Sequence, residues 1–110
     1  MILAVVTFRM PATLTREQAA AMFRETAPRY QGLPGLLRKQ YIFRALDSHA
    51  EAGGVYCWDS HAAAEAGHGR EWRERVTAKY GGAPDVRFFE VPVSVDNTVP
   101  SAPILEHPPG

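Results

Sequence analysis

Hydrophobic periodicity switches four times along this chain, and the order of those switches limits what it can become. Ile2 to Phe8 is short, apolar and β-branched, closed by Met10-Pro11, and reads as a strand buried on both faces. Ala19, Met22, Phe23, Ala27 and Tyr30 then recur at helical spacing behind Thr13 or Thr15 as N-cap, with Pro28 expected to kink the last turn and Gly32 and Pro34 to end it. Gly35 to Leu46 alternates, sending Leu37, Lys39, Tyr41 and Phe43 to one side. After a polar turn at Asp47 to Glu51, Gly53 to Trp58 supplies a strand expected to pair with it as an antiparallel hairpin, the two glycines marking a bulge or a close approach.

Asp59 and Ser60 open an alanine-rich helical run that Gly67 and Gly69 weaken, so one interrupted helix or two are expected. Trp72, Val76 and Tyr80 form a docking stripe ended by Gly81-Gly82, and Asp85 to Val93 reads as the fourth main strand. Beyond Pro92, Val93 to Asn97 is an edge strand or an arm. Residues 99–110, rich in proline, read as an extended tail outside a single domain of residues 1–98.

The order strand, helix, strand, strand, helix, strand is that of an α+β, ferredoxin-like βαββαβ domain with an antiparallel sheet. Two helices shield one face of a sheet. Because the strands carry apolar residues on both sides, the second face needs its own cover, and a homodimer in which two such faces meet as a barrel supplies it.

Twelve basic residues balance twelve acidic ones, so no long-range field favours nucleic acid or an anionic membrane as partner. The apolar N-terminus lacks a basic leader and no stretch reaches the roughly 20 apolar residues of a membrane span. The single cysteine, Cys57, forms no internal disulfide, which fits a reducing cytoplasm.

Pro34 to Phe43 (PGLLRKQYIF), Glu51 to Trp58 (EAGGVYCW), the helix start DSHAAAE and Val86 to Asn97 (VRFFEVPVSVDN) together resemble the YdhR-like group of monooxygenase-type proteins in the dimeric α+β barrel superfamily. The resemblance spans Phe8 to Asn97 and implies the fold and the dimer. Related barrel enzymes oxidise polycyclic phenols without flavin or metal, while others decarboxylate, isomerise or bind haem. It therefore implies a monooxygenase acting without a cofactor on a small aromatic or polyketide-like substrate, with a non-catalytic binder of a small hydrophobic molecule or haem as the alternative.

A cofactor-free oxygenase must help its substrate lose a proton, because the resulting phenolate or enolate can itself reduce dioxygen. That requires an apolar cavity, a base and donors for the developing anion. Tyr41, Tyr56, Trp58 and Trp72 are candidates for its walls, His68 for the base and Lys39 or Arg38 for the donor. Each has a plainer reading: Trp72 lies on the core stripe, the tyrosines are good strand residues, Trp58 covers a core rim, and Lys39 can snorkel. His61, Glu65 and His68 align on one helix face but match no known metal spacing, so neither metal nor cofactor is expected. Cys57 reads as a small apolar side chain, and Arg70, Arg73, Arg75 and Lys79, interleaved with Glu71 and Glu74, as a solvated face.

Overall fold

The computed structural model describes residues 1–110. Its main elements are β1 (Ile2–Met10), α1 (Arg16–Tyr30), β2 (Leu36–Ala45), β3 (Ala50–Trp58), α2 (His61–Gly67), α3 (Arg70–Tyr80) and β4 (Asp85–Glu90). Two short strands, β5 (Val93–Ser94) and β6 (Leu105–Glu106), follow. The sheet runs β2-β3-β1-β4, antiparallel throughout, which is the ferredoxin-like order. No helix is long and apolar enough to cross a membrane.

Local chemistry explains the boundaries. Thr15 and Gln18 form a reciprocal capping box that satisfies two N–H groups at the start of α1. The helix continues past Pro28 to Tyr30, and the Gln31 N–H bonds the Pro28 carbonyl at 3.3 Å in a tightened last turn. The second helical stretch is two helices. A Cβ on Gly67 would stand 2.2 Å from the Trp58 ring, so only glycine lets α2 approach the sheet here. α3 ends on Gly81 in the left-handed conformation, φ 80°, that glycine adopts without strain.

The register separates two faces. Toward the helices β1 sends Ile2, Ala4, Val6, Phe8 and Met10, all buried, opposite Trp58, Tyr56, Gly54, Ala52 and Ala50 of β3. These residues, with Ala19 and Phe23 of α1 and Trp72 and Val76 of α3, are the core. Toward the other face β1 sends Leu3, Val5 and Thr7, partly covered, and Arg9, exposed. The expectation that β1 is buried on both faces is thus corrected for the single chain: its helices cover one side only. β3 begins at Ala50 rather than Gly53, because buried Ala50 and Ala52 fill tight places without being strong β formers.

The tail is not extended. β6 returns to pair with β5, the His107 N–H bonds the Pro92 carbonyl at 2.8 Å, and the Gly110 carbonyl accepts from the His61 N–H at 2.6 Å. Leu105 and Val95 border, with Leu3, Leu37 and Cys57, a cleft at one end of the open sheet face.

Candidate functional site

Between the helix layer and the sheet lies a cavity of about 250 Å³. Its floor is Val6 and Phe8 of β1 with Gly53, Gly54 and Tyr56 of β3; its walls are Lys39 and Tyr41 of β2 and side chains of α1 and α3. The glycines make the floor possible. A Cβ on Gly53 would stand 1.8 Å from the Val6 carbonyl oxygen, and one on Gly54 would press at 3.1 Å on both Lys39 Cε and Tyr56 Cε1. The Lys39 stem therefore lies across bare backbone.

Lys39 Nζ sits 3.5 Å from the centre of the Tyr30 ring, 3.8 Å from Tyr41 and 4.5 Å from Tyr56. Those ring faces attract an ammonium. Burial works the other way, and the Arg75 guanidinium adds to it, holding the amine down at about 7. No ion pair of the chain involves Lys39, and none involves Arg75 or Arg29, which also line the cavity. Lys79 lines it too, but is bonded to Glu25 at 2.7 Å.

The tyrosines are held as donors. Thr26 Oγ1 donates to the Phe23 carbonyl at 3.2 Å, so the Tyr41 hydroxyl donates in its 2.7 Å contact with Thr26. Burial raises the Tyr41 and Tyr56 hydroxyls above their ordinary range, and Tyr80, stacked on Phe8 at 4.5 Å, is pushed up to about 12, chiefly by burial. At neutral pH all three are phenols.

Of the seven residues singled out in the sequence, Lys39, Tyr41 and Tyr56 line this cavity; Arg38 does not, standing on the other sheet face 4.0 Å from Asp96, and neither do Trp58, Trp72 and His68. The latter three form a second aromatic layer behind Tyr56. His68 is 3% exposed, 4.5 Å from the Tyr56 ring centre and 4.4 Å from that of Trp72. Trp58 Nε1–H donates to His68 Nε2 at 3.0 Å, which leaves the proton of the neutral ring on Nδ1. Burial, then Arg73 and Lys39, lowers this imidazole to about 4. His68 Nδ1 and Trp72 Nε1 are buried without a partner. His61, on the exposed side of α2, pairs with Glu65 at 3.5 Å, away from His68.

Tyr30, Arg29, Arg75 and Lys79 were not singled out for this site. Arg75 and Lys79 stand one position before Val76 and Tyr80 of the apolar stripe, close enough around the helix to border the cavity. Arg70, bonded to Glu74 at 3.0 Å, does lie on a solvated face. The offset from the stripe, set against Lys39 between Leu37 and Tyr41, was the available signal.

No known family model matches the chain, and no curated protein does. Solved structures do. A monooxygenase of Streptomyces coelicolor, ActVA-Orf6, determined with nanaomycin D, superposes with a TM-score of 0.62 at 22% identity, covering 91% of this chain and 92% of its own. An antibiotic biosynthesis monooxygenase-type protein of Caulobacter crescentus gives 0.54 at 18% identity, covering 82% and 88%. SnoaB, a cofactor-independent oxygenase of Streptomyces nogalater, gives 0.53 at 18%, covering 82% and 92%. The chain has the fold of these monooxygenases over nearly its whole length.

Proposed function

We propose that this protein is a cofactor-independent monooxygenase acting on a small aromatic or polyketide-like substrate in the Lys39 cavity. The observation that carries the reading is a half-buried amine, held down to about 7, beside three tyrosine faces and open to the cavity. The fold shared with ActVA-Orf6 and SnoaB supports it.

The proposed base is Lys39 rather than His68, whose Nε2 is occupied by Trp58 and whose ring stands behind Tyr56. A base works best when its pKa lies near the operating pH. Neutral Lys39 takes a proton from the phenol or the activated CH₂ of the substrate, and the ammonium so formed, steadied by the ring faces, holds the resulting anion. The anion passes one electron to dioxygen, the radical pair combines to a peroxide anion, and the Lys39 ammonium returns its proton to give the hydroperoxide. Loss of water leaves a new carbonyl: CH₂ plus O₂ gives C=O plus H₂O, one oxygen atom in each product. His68 and Trp72 are assigned to positioning, holding the Tyr56 ring from behind.

The working unit of this reading is a homodimer, with the open sheet face carrying Leu3, Val5, Val55 and Phe89 against a second copy; light scattering at micromolar concentration should give twice the chain mass. The lone thiol of Cys57 fits a cytoplasmic setting. The catalytic test is oxygen uptake with hydroquinones and anthrones. Turnover should climb through a pH near 7 as Lys39 loses its proton. That limb should move to higher pH in Arg75→Gln, which removes a neighbouring positive charge. Tight binding without oxygen uptake by any substrate would leave a carrier or sensor.

A further inference from the structure

The chain as a whole is electrically balanced, with 12 basic and 12 acidic residues. Its cavity is not. Arg29, Lys39, Arg75 and Lys79 line it against a single carboxylate, Glu25, and that carboxylate is taken by Lys79. Two guanidinium groups, Arg29 and Arg75, and the Lys39 amine, charged only below about pH 7, are left without a counter-ion along the cavity. Concentrating one sign of charge in a cleft with low-dielectric walls focuses the field there and selects the charge of what enters.

The inner end is already occupied by the protein's own amine. Lys39 Nζ fills the space between the Tyr30, Tyr41 and Tyr56 rings, so no ligand ammonium can take that place. The outer end is different. Arg29 on α1 is exposed and Arg75 on α3 half-buried, and each presents a planar guanidinium suited to a carboxylate. At about 250 Å³, the cavity falls just under the range of about 300–1,000 Å³ that holds drug-sized ligands, which fits a single ring or a fused pair.

We infer that the cavity's substrate is an aromatic acid: a one- or two-ring phenol whose hydroxyl meets Lys39 and whose carboxylate, at the far end of the ring, is held by Arg29 and Arg75. The inference rests on the reading of this cavity as the substrate site and narrows it to organic anions. Arg75 then acts at both ends of the reaction, gripping the acid group and keeping Lys39 deprotonated. The carboxylate, once bound, offsets part of the positive potential that Arg75 imposes on the amine, so a bound acid should raise the Lys39 titration relative to the empty site.

The test compares 4-hydroxy-1-naphthoate, its methyl ester and 1-naphthylmethylammonium by calorimetry on the full chain under nitrogen, where binding is read without turnover. Charge-assisted hydrogen bonds to one carboxylate should make the acid bind about tenfold more tightly than the ester, with the ammonium weakest. The acid-to-ester ratio should shrink with added salt and collapse toward one in Arg75→Gln and, less completely, in Arg29→Gln. Arg70→Gln, on the outer side of α3, should leave it intact. Equal binding of acid and ester, no binding of either, or a ratio that survives both cavity substitutions overturns the inference. Oxygen uptake is measured separately. Acid preference without uptake would remove the oxygenase reading alone; uptake with acid and ester used equally would remove the acid preference alone.

Discussion

Phe8 and Phe89 lie on neighbouring strands of one sheet and live in different solvents. Phe8, on the helix side, is 4% exposed and stacked on Tyr80; Phe89, on the other side opposite Leu3, is 49% exposed. The covered face holds the core, the cavity and the half-buried Lys39. The open face carries an apolar centre of Leu3, Val5 and Val55 edged by ion pairs, Arg44 with Glu51 and Arg87 with Asp85, and the returning tail only borders a cleft at its end. A strand alternates its side chains with a period of two, so each face receives its own composition from the same run of residues. One face has been built to keep water out, the other to meet something.

The contrast can be broken most directly by truncating both rings. Phe8→Ala should cost about 3–5 kcal/mol of folding stability in urea titrations, because a filled site empties against rigid neighbours. Phe89→Ala should cost less than about 1 kcal/mol in the same titrations of the dissociated chain, its ring being half in water already, and should act on dimer dissociation instead. Equal losses would erase the distinction between the faces.

Lys39→Met sharpens it in two opposing readouts. Turnover should fall by about 10²-fold or more with loss of the base. Stability at neutral pH should rise, because a folded-state value near 7 against an ordinary 10.5 means the folded chain binds fewer protons than the unfolded one between those pH values. Wild-type stability therefore climbs with pH across that window, and the variant, lacking the titration, should be flatter and melt higher by about 4–8 °C, the shift that roughly 1 kcal/mol produces in a domain of this size. Lower stability with retained turnover would contradict the assignment.

His68 gives the covered face an acid limit. Its folded value near 4 lies below its ordinary 6.5, so the unfolded chain takes up a proton first as pH falls. Stability should drop by about 2–3 kcal/mol from pH 6.5 to 4 on this group's account. His68→Gln keeps an acceptor for Trp58 while removing the titration and should flatten that part of the limb, followed by chemical denaturation at each pH. The smallest effect belongs to the surface of α3: Arg70→Ala, losing an exposed pair with Glu74, should change stability by no more than about 0.5 kcal/mol.

Topology was legible because it depends on period alone. The Trp72, Val76, Tyr80 stripe, the break at Gly67 and Gly69 and the alternation of β2 from Arg38 onward appear where the letters put them, but a bulge between Leu36 and Arg38 puts Leu36 rather than Leu37 on the core side with Lys39 and Tyr41. The site was half legible. Lys39 and Tyr41 share a side of β2 by parity, but their meeting with Tyr56 depends on a register, Lys39 opposite Tyr56 and Tyr41 opposite Gly54, that no local signal fixes. Tyr30 and Arg75 reach the same cavity from two helices, and helix rotation over a sheet is set by packing rather than by propensity. The tail was misread because four prolines argue for extension, while its return is held by long-range contacts: the Pro92 and His107 backbone bond, Ser94 with His107 at 2.8 Å, and the end of the chain on α2.

Reductive ¹³C-methylation of the lysines, with Lys39 identified by its absence in Lys39→Met, allows its amine to be titrated by NMR in the intact protein. A midpoint near 7, rising in Arg75→Gln and accompanied by carbon shifts displaced by the tyrosine ring currents, is the expected result. A midpoint at the ordinary 10.5 would mean an amine in open water, with no buried base on the covered face.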